Sequence, residues 1–220
     1  MKNLLNLPNV LTLCNLICGC LAIFLVFDLR FFDALGLMLL AAVFDFFDGF
    51  AARLLKISSP IGKQLDSLAD VVTFGVLPGM IVFHYLKFNS FNYSVVALLI
   101  PVFSALRLAK FNVDERQNSG FIGLPTPANA LFFASLVLLD VPYLKEIVLI
   151  CIPLFCYFMI AEIPLFALKF KNFSFKGNEI KYLFLLLSLV LILVVQLQAM
   201  PFIILSYLLL SVINNRVARK

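Results

Sequence analysis

The chain has 220 residues, of which 63% are hydrophobic and 13% charged, and its formal net charge is +5. Soluble domains contain about 45–50% apolar and about 25% charged residues, so this composition excludes a soluble globular domain, a disordered chain and a secreted disulfide scaffold. We therefore interpret the basic excess against a lipid bilayer and not as a sign of nucleic-acid binding. The class of protein that remains is an all-α polytopic membrane protein.

Eight stretches are apolar enough to form transmembrane helices, which need roughly 17–25 mostly apolar residues. We predict spans at 9–28, 32–54, 64–87, 92–112, 126–141, 146–168, 180–197 and 200–215. The last two are divided at Gln196, Gln198 and Pro201, because residues 182–215 carry no formal charge and are too long for one span. The first stretch has a weak basic region before it and polar residues within it, so we expect it to be retained as a helix and not removed as a signal peptide.

The basic residues indicate the orientation of these spans. If both termini are cytoplasmic (N-in/C-in), 14 of the 17 basic residues lie on the cytoplasmic side, as the positive-inside rule requires. Those 14 are Lys2, Arg53, Lys56, Lys63, Arg107, Lys110, Arg116, Lys169, Lys171, Lys176, Lys181, Arg216, Arg219 and Lys220. The other three are Arg30, Lys87 and Lys145. The asymmetry favours an even number of spans: eight, or six if the last pair does not cross.

Four aspartates fall inside predicted spans, where ionisable side chains are rare and usually functional. Asp45 and Asp48 lie near the cytoplasmic end of the second span, and Asp66 and Asp70 near the start of the third. The spacings i, i+3 and i, i+4 place each pair on one helix face. Four unpaired acids would cost ~10–14 kcal/mol at mid-membrane, so we expect protonation, pairing with cations or a bound metal to compensate.

Of these three ways to offset the cost of the buried acids, only a bound divalent metal would give the cluster a chemical role. Carboxylates without His or Cys suit Mg²⁺, Mn²⁺ or Ca²⁺, and acids from two facing helices can hold two ions ~3.5–4 Å apart. Gly49, Ala52 and Gly62 would leave space beside the ions for a polar headgroup. Pairing with Arg53 and Lys63 is the alternative that requires no metal.

The acidic segment has the pattern Asp45-x2-Asp48-Gly49-x2-Ala52-Arg53-x8-Gly62-x3-Asp66-x3-Asp70. This pattern resembles, without departure, the signature of the CDP-alcohol phosphatidyltransferase family. Four runs are similar to the bacterial integral-membrane phosphatidylserine synthases within that family: Leu7–Asn15, Asp66–Pro78, Arg107–Asn112 and Phe121–Asn129. The resemblance implies a six-helix membrane core, two divalent ions (Mg²⁺ or Mn²⁺), and displacement of CMP from CDP-diacylglycerol by the hydroxyl of L-serine. It further implies a homodimer in the bacterial cytoplasmic (inner) membrane, with its active site toward the cytoplasm.

Residue roles follow from the same resemblance. Asp45, Asp48 and Asp66 would hold the ion at the CDP-lipid diphosphate, whereas Asp70 would contact the second ion and act as general base. The residues implied to bind the CDP-lipid are Asn9, Thr12, Gly49, Ala52, Arg53, Ser59 and Gly62. Structural alternatives stay open for three of these: Ser59 as a helix cap, and Asn9 and Thr12 as interhelical hydrogen-bonding residues.

The acceptor site is predicted at the cytoplasmic end of the fourth span, where Arg107, Lys110 and Asn112 could bind the serine carboxylate. Their alternative role is as positive-inside anchors. Glycerol 3-phosphate and inositol phosphate are alternative acceptors, and a cation-coupled transporter is the alternative from a different class. Acids near one membrane face beside a basic loop favour the enzyme. With no Ser/His or Cys/His pair to form a covalent intermediate, we expect single displacement.

We expect residues 1–170 to form the membrane core of the transferase, and residues 171–220 a C-terminal helical hairpin with a basic tail. Glu162 is a further acid within a predicted span. It has no partner acid at helical spacing, so we expect it to make a polar contact inside the bundle rather than bind metal.

Overall fold

The computed structural model describes residues 5–57, 59–87, 91–114, 121–166, 168, 174–175 and 177–217. The α-helices are α1 (Leu7–Phe27), α2 (Phe31–Leu55), α3 (Pro60–Asp70), α4 (Leu77–Lys87), α5 (Phe91–Ser94), α6 (Leu99–Val113), α7 (Thr126–Leu136), α8 (Leu144–Ile160), α9 (Glu179–Val195) and α10 (Met200–Val217). The predicted boundary at residues 170–171 lies outside the described residues, as do Lys2, Arg116, Lys169, Lys171, Lys176, Arg219 and Lys220.

Helices α1 and α2 pack against each other and confirm the first two predicted helical stretches. The Asn6 side chain caps α1 by accepting the Asn9 N–H at 2.9 Å, and Pro8 lies in the first turn, where its missing N–H costs nothing. Helix α2 ends at Lys56, which adopts a left-handed conformation (φ 54°). This tight end brings the chain directly back toward α3, so the acid-bearing segments of α2 and α3 lie at the same end of the molecule.

The third predicted span is one continuous helical segment with a π-helical section at its centre. Helix α3 ends at Asp70, residues Val71–Val76 form the π-helix, and α4 continues to Lys87. The π-helix packs closely on α1, since a Cβ atom at Gly19 would collide with Thr73. Short π-helical sections occur frequently at functional sites, and this one begins immediately after the last of the four aspartates.

The fourth span consists of α5, a 3₁₀ turn (Val95–Leu98) and α6, close to its predicted limits. Helix α7 differs from the predicted span 126–141 because it ends at Leu136. Its 11 residues extend ~16 Å at ~1.5 Å per residue, about half of the ~30 Å hydrocarbon core of a bilayer. Most of α7 is buried in protein, and this shields the backbone where the helix ends.

Helix α8 ends at Ile160, whereas the sequence predicted a span to residue 168. The chain becomes extended at Ala161, and Pro164 has no N–H with which to continue a helix. Pro164–Leu165 instead forms strand β2, which pairs antiparallel with β1, Phe121–Ile122. The predicted position of Glu162 inside the bundle is wrong, because Glu162 lies past the end of α8 and its side chain is 64% exposed.

Helices α9 and α10 form an antiparallel hairpin, and the break predicted at Gln196 is confirmed. Gln196 has φ 54° and begins a 3₁₀ turn, Gln196–Ala199. The rings of Phe184 on α9 and Tyr207 on α10 lie 5.6 Å apart, and both rings contact Phe166. The turn is held to the end of α7 because the Gln198 Nε2 donates to the Leu138 carbonyl at 2.8 Å.

Five helical stretches of the described chain are long and apolar enough to cross a membrane: Leu7–Phe27, Phe31–Leu55, Pro60–Lys87, Asn92–Val113 and Glu179–Asn215. The protein is therefore a helical membrane protein. Its core includes Phe132 and Phe155, whose rings stack at 3.8 Å. Large apolar side chains such as Phe24, Phe46 and Leu193 point outward, as expected for a lipid-facing surface.

Candidate active site

The four aspartates predicted from the sequence converge where α2 faces α3. One carboxylate oxygen from each of Asp45, Asp48 and Asp66 lies within 4.8 Å of the others. The Asp45 carboxyl is also within hydrogen-bonding range of Asp66 and Asp70. Asp48 and Asp70 are buried. The cluster therefore combines a group of three acids with a fourth acid deeper in the helix bundle.

The group of three fits a divalent cation by its chemistry and its spacing. Its donors are carboxylate oxygens alone, the hard ligands that Mg²⁺ and Mn²⁺ prefer. Oxygens around one octahedral Mg²⁺ at ~2.1 Å stand ~3–4.2 Å apart, so binding would require only a small contraction of the group. Pairing with Arg53 and Lys63 does not replace a metal: within the described residues, neither forms an ion pair with the four aspartates. The Lys63 ammonium donates to the Asn112 carbonyl at 2.6 Å.

Helix α1 provides hydrogen bonds to two of the acids. The Thr12 hydroxyl donates to Asp48 Oδ2 at 2.6 Å, and the Asn15 Nδ2 donates to Asp70 Oδ1 at 3.2 Å. Asn9, Thr12 and Asn15 are all buried and follow one another at three-residue spacing on this helix. The interhelical hydrogen bond considered for Thr12 is confirmed. Asn15 is a site residue beyond those predicted from the sequence, and its three-residue spacing from Thr12 on α1 is the signal that indicates it.

A cavity of about 460 Å³ adjoins the acids, within the usual size range of small-molecule sites. All seven residues predicted to contact the CDP-lipid line it: Asn9, Thr12, Gly49, Ala52, Arg53, Ser59 and Gly62. Asp48 and Asp66 also line it, as do the cations Lys56 and Lys63, so the cavity joins a potential metal site to a basic surface suited to an anionic ligand.

Two small features shape this cavity. A Cβ at Gly49 would meet no atom within 4 Å, so this part of α2 faces open space. A Cβ at Gly62 would lie 3.1 Å from both Asn9 Oδ1 and Ser59 Oγ, so the helix start is closely surrounded there. The capping role of Ser59 is confirmed, because its hydroxyl oxygen accepts the Gly62 N–H at 3.0 Å.

The three predicted acceptor residues do not converge. Arg107 is buried and interacts electrostatically with Asp70, and its guanidinium carbon lies 4.8 Å from the centre of the Phe111 ring. Lys110 instead donates to the Ile160 carbonyl at 3.1 Å and lies 3.7 Å from Glu162.

Asn112 contacts α3, donating from its Nδ2 to the Ser67 hydroxyl at 2.7 Å. Of the three predicted acceptor residues, only Arg107 has a described interaction with the predicted base, and this interaction is electrostatic. The roles of Lys110 and Asn112 at the acceptor therefore stay predictions.

The sequence profile of the CDP-alcohol phosphatidyltransferase family matches residues 5–158. The chain belongs to this family. The matched region contains the four aspartates, all seven predicted CDP-lipid residues and the three predicted acceptor residues. The second strand, the hairpin α9–α10, the last two residues of α8 and residues 1–4 lie outside it.

Several curated relatives within the CDP-alcohol phosphatidyltransferase family are similar over much of the chain. CDP-diacylglycerol–serine O-phosphatidyltransferase of Helicobacter pylori strain 26695 is 32% identical over 217 residues, covering 94% of this chain and 90% of that protein. The enzyme of the same name from Bacillus subtilis strain 168 is 34% identical over 176 residues, covering 79% and 94%. Archaetidylserine synthase of Methanothermobacter thermautotrophicus is 37% identical over 135 residues, covering 60% and 58%.

Proposed function

We propose that this protein transfers the phosphatidyl group of CDP-diacylglycerol to the hydroxyl of L-serine, forming phosphatidylserine and CMP. The observation that carries the proposal is the convergence of four aspartates from α2 and α3 beside a cavity with a basic lining. The names of the relatives support serine as the acceptor, because the similar proteins named above are serine or archaetidylserine enzymes.

The cavity residues orient the CDP-lipid in this proposal. Arg53, Lys56 and Lys63 attract its diphosphate, while Gly49 leaves room for the headgroup against α2. Asp45, Asp48 and Asp66 would hold the first divalent ion, with Asp70 reaching the second. Bound Mg²⁺ or Mn²⁺ would neutralise charge that develops on the diphosphate and the leaving CMP.

Asp70 acts as general base for the acceptor. The serine hydroxyl oxygen bonds to the phosphorus that carries diacylglycerol, the bond from this phosphorus to the CMP oxygen breaks, and the hydroxyl proton passes to Asp70. Asn15 holds the carboxylate in place through its 3.2 Å hydrogen bond. The sole histidine, His84, contacts the Phe27 ring at the other end of α1 from Thr12, which supports a single displacement with no covalent intermediate.

The remaining sequence predictions concern topology, domain limits and assembly, and they stay proposals. We propose eight helical segments within the membrane, the short α7 being largely enclosed by protein, with both termini cytoplasmic. We place the active site toward the cytoplasm because the basic residues Arg53, Lys56 and Lys63 line the cavity. We further propose that residues 1–170 form the catalytic core, that the α9–α10 hairpin of residues 171–220 supports it at α7, and that the protein is a homodimer. Cross-linking in native membranes and accessibility of terminal reporter tags test the dimer and the orientation.

Acceptor competition in detergent tests the activity. Purified protein receives CDP-diacylglycerol and Mn²⁺ or Mg²⁺, together with L-serine, glycerol 3-phosphate or inositol phosphate in separate reactions. We expect CMP release to be fastest with L-serine and to stop when EDTA is added. Release without preference for serine would contradict the acceptor assignment.

Two matched variants on α2 connect that activity to the site. Asp45→Asn should abolish CMP release, since it removes a carboxylate of the group of three. Asp33→Asn should preserve it, because Asp33 pairs with Arg30 at 2.7 Å in the first turn of the same helix. Equal loss in both variants would show that the acidic group is not the reaction centre.

A further inference from the structure

Two residues that interact with Asp70 each have a buried polar atom with no hydrogen-bond partner among the described residues. One is Asn15 Oδ1, on a side chain that is 0% exposed. The other is Arg107 Nη2, on a side chain that is 6% exposed. Buried polar groups nearly always have partners, so these two atoms, on residues that share Asp70 as a neighbour, are candidate contacts for a ligand.

The orientation of Asn15 follows from its neighbour. The Asn15 Nδ2 donates to Asp70 Oδ1 at 3.2 Å, and the other polar end of an amide is an oxygen acceptor. The amide oxygen therefore points elsewhere and offers an acceptor close to the predicted base. Arg107 interacts electrostatically with the same Asp70 and has a spare N–H donor. Helices α1, α3 and α6 thus bring an acceptor, a carboxylate and a cationic donor together.

We infer that Asn15 binds the α-ammonium group of the acceptor through Oδ1 and so selects an amino acid. In this arrangement Arg107 binds the α-carboxylate and Asp70 faces the hydroxyl. The inference deepens the proposed function and rests on it, because it names the residue that recognises the class of acceptor. Asn15 Oδ1 thus complements the ammonium group of serine, Arg107 its carboxylate and Asp70 its hydroxyl.

The same arrangement disfavours the phosphorylated acceptors. Glycerol 3-phosphate and inositol phosphate carry no cation for Asn15 Oδ1, and a phosphate is best bound by several cations. Lys110, the next cation after Arg107 on α6, is directed to the Ile160 carbonyl and Glu162. A single buried guanidinium and an amide oxygen, each interacting with Asp70 through its own residue, are better suited to a carboxylate with a neighbouring ammonium.

The position of Asn15 along α1 is consistent with this role. Asn9 and Thr12 line the cavity assigned to the CDP-lipid, and Thr12 contacts Asp48. Asn15 lies three residues further along and contacts Asp70. Successive polar residues of one helix would therefore contact first the CDP-lipid side and then the acceptor side of the reaction.

Inhibition by L-alanine and propionate tests the inference. Neither compound has a hydroxyl to react, both carry the carboxylate, and only L-alanine carries the ammonium. In the CMP-release assay with L-serine, Asn15→Ala should raise the KM of serine and the Ki of L-alanine about 10- to 100-fold, the usual effect of losing a hydrogen bond to a charged group. The Ki of propionate should stay within about two-fold of the wild-type value, as expected for a carboxylate bound elsewhere.

Two further variants complete the design. Arg107→Gln should raise the Ki of both inhibitors, since both share the carboxylate. Cys18→Ala changes a buried residue one turn beyond Asn15 on α1 and should leave both Ki values unchanged. If Asn15→Ala is too slow to assay, calorimetric titration of L-alanine and propionate into protein saturated with CMP and Mn²⁺ gives the same comparison, and retained CMP binding shows that the variant is folded.

The alternative is that Asn15 only positions Asp70. In that case Asn15→Ala would lower kcat and leave the KM of serine and both inhibitor constants unchanged, which would overturn the inference. An equal rise for L-alanine and propionate would also overturn it. Failure of the proposed function is distinguishable, because wild-type protein would then release CMP without preferring serine, whatever the variants do.

Discussion

Two glycines of helix α2 provide a sharp test of the assigned CDP-lipid cavity. A Cβ added at Gly36 or at Gly49 would meet no protein atom within 4 Å. A glycine inside a helix is less favourable than alanine by about 0.5–1 kcal/mol, because its backbone loses more freedom on folding. Gly36→Ala and Gly49→Ala should therefore each stabilise the protein in the absence of ligand by about that amount.

The two variants should differ in their binding of CDP-lipid. Gly49 lines the cavity of about 460 Å³, whereas Gly36 is not among its lining residues. A ligand packed against the backbone at Gly49 would lie ~3.5–4 Å from it, and the new methyl group would occupy that space. Overpacking costs about 1–3 kcal/mol, so Gly49→Ala should weaken CDP-lipid binding about 5- to 150-fold.

The measurement is calorimetric titration of CDP-diacylglycerol in detergent with Mg²⁺, paired with thermal unfolding followed by circular dichroism. We expect Gly49→Ala to raise the Tm and to weaken the affinity for CDP-diacylglycerol. Gly36→Ala should raise the Tm and leave that affinity unchanged. Unchanged affinity for Gly49→Ala would refute the placement of the ligand against α2. A lower Tm would instead show that this face of the helix is not open.

Three further variants test other contacts of the structure. Thr12→Val keeps the side-chain shape but removes the 2.6 Å hydrogen bond to Asp48. The Mn²⁺ affinity measured by electron paramagnetic resonance should therefore fall about 10- to 100-fold. Unchanged affinity would show that Thr12 does not orient Asp48 for metal binding. Asp70→Asn should abolish CMP release while CDP-diacylglycerol still binds, and near-normal turnover would rule out Asp70 as the base. Tyr207→Phe removes the 2.8 Å hydrogen bond to the Phe166 carbonyl and should lower stability by about 1 kcal/mol, seen as a lower Tm with full CDP-lipid affinity.

The acidic site could be predicted from the sequence because helix geometry fixes it locally. The spacing of Asp45 from Asp48, and of Asp66 from Asp70, puts each pair on one face, and the short basic turn between the helices makes those faces meet. An apolar chain allows few other arrangements in which the charge of four carboxylates is compensated. The cavity residues followed from the same two helices and from α1.

Other features depend on packing that the sequence pattern does not specify. Helix α7 stops at Leu136 within an apolar run, because burial in the bundle allows its backbone to end there. The two-residue strand at Pro164–Leu165 depends on a partner more than 40 residues away. The divergence of Lys110 and Asn112 from Arg107 is likewise set by contacts with α8 and α3, which no local spacing reveals.

The position of α1 relative to α3 and the π-helix connects these observations. Thr12 and Asn15 on α1 bond to acids on different helices, so both contacts require one register of α1. A shift by one residue rotates an α-helix by about 100° and would remove both hydrogen bonds together. The close approach of Gly19 to Thr73 fixes that register from the far side of Asn15, where the absence of a side chain lets α1 reach the π-helix. The π-helix follows Asp70 directly, so the same packing that holds α1 also holds the predicted base. The candidate active site is therefore built jointly by α1, α2 and the continuous segment of α3 and the π-helix, with a few interhelical polar contacts aligning them in an otherwise apolar chain.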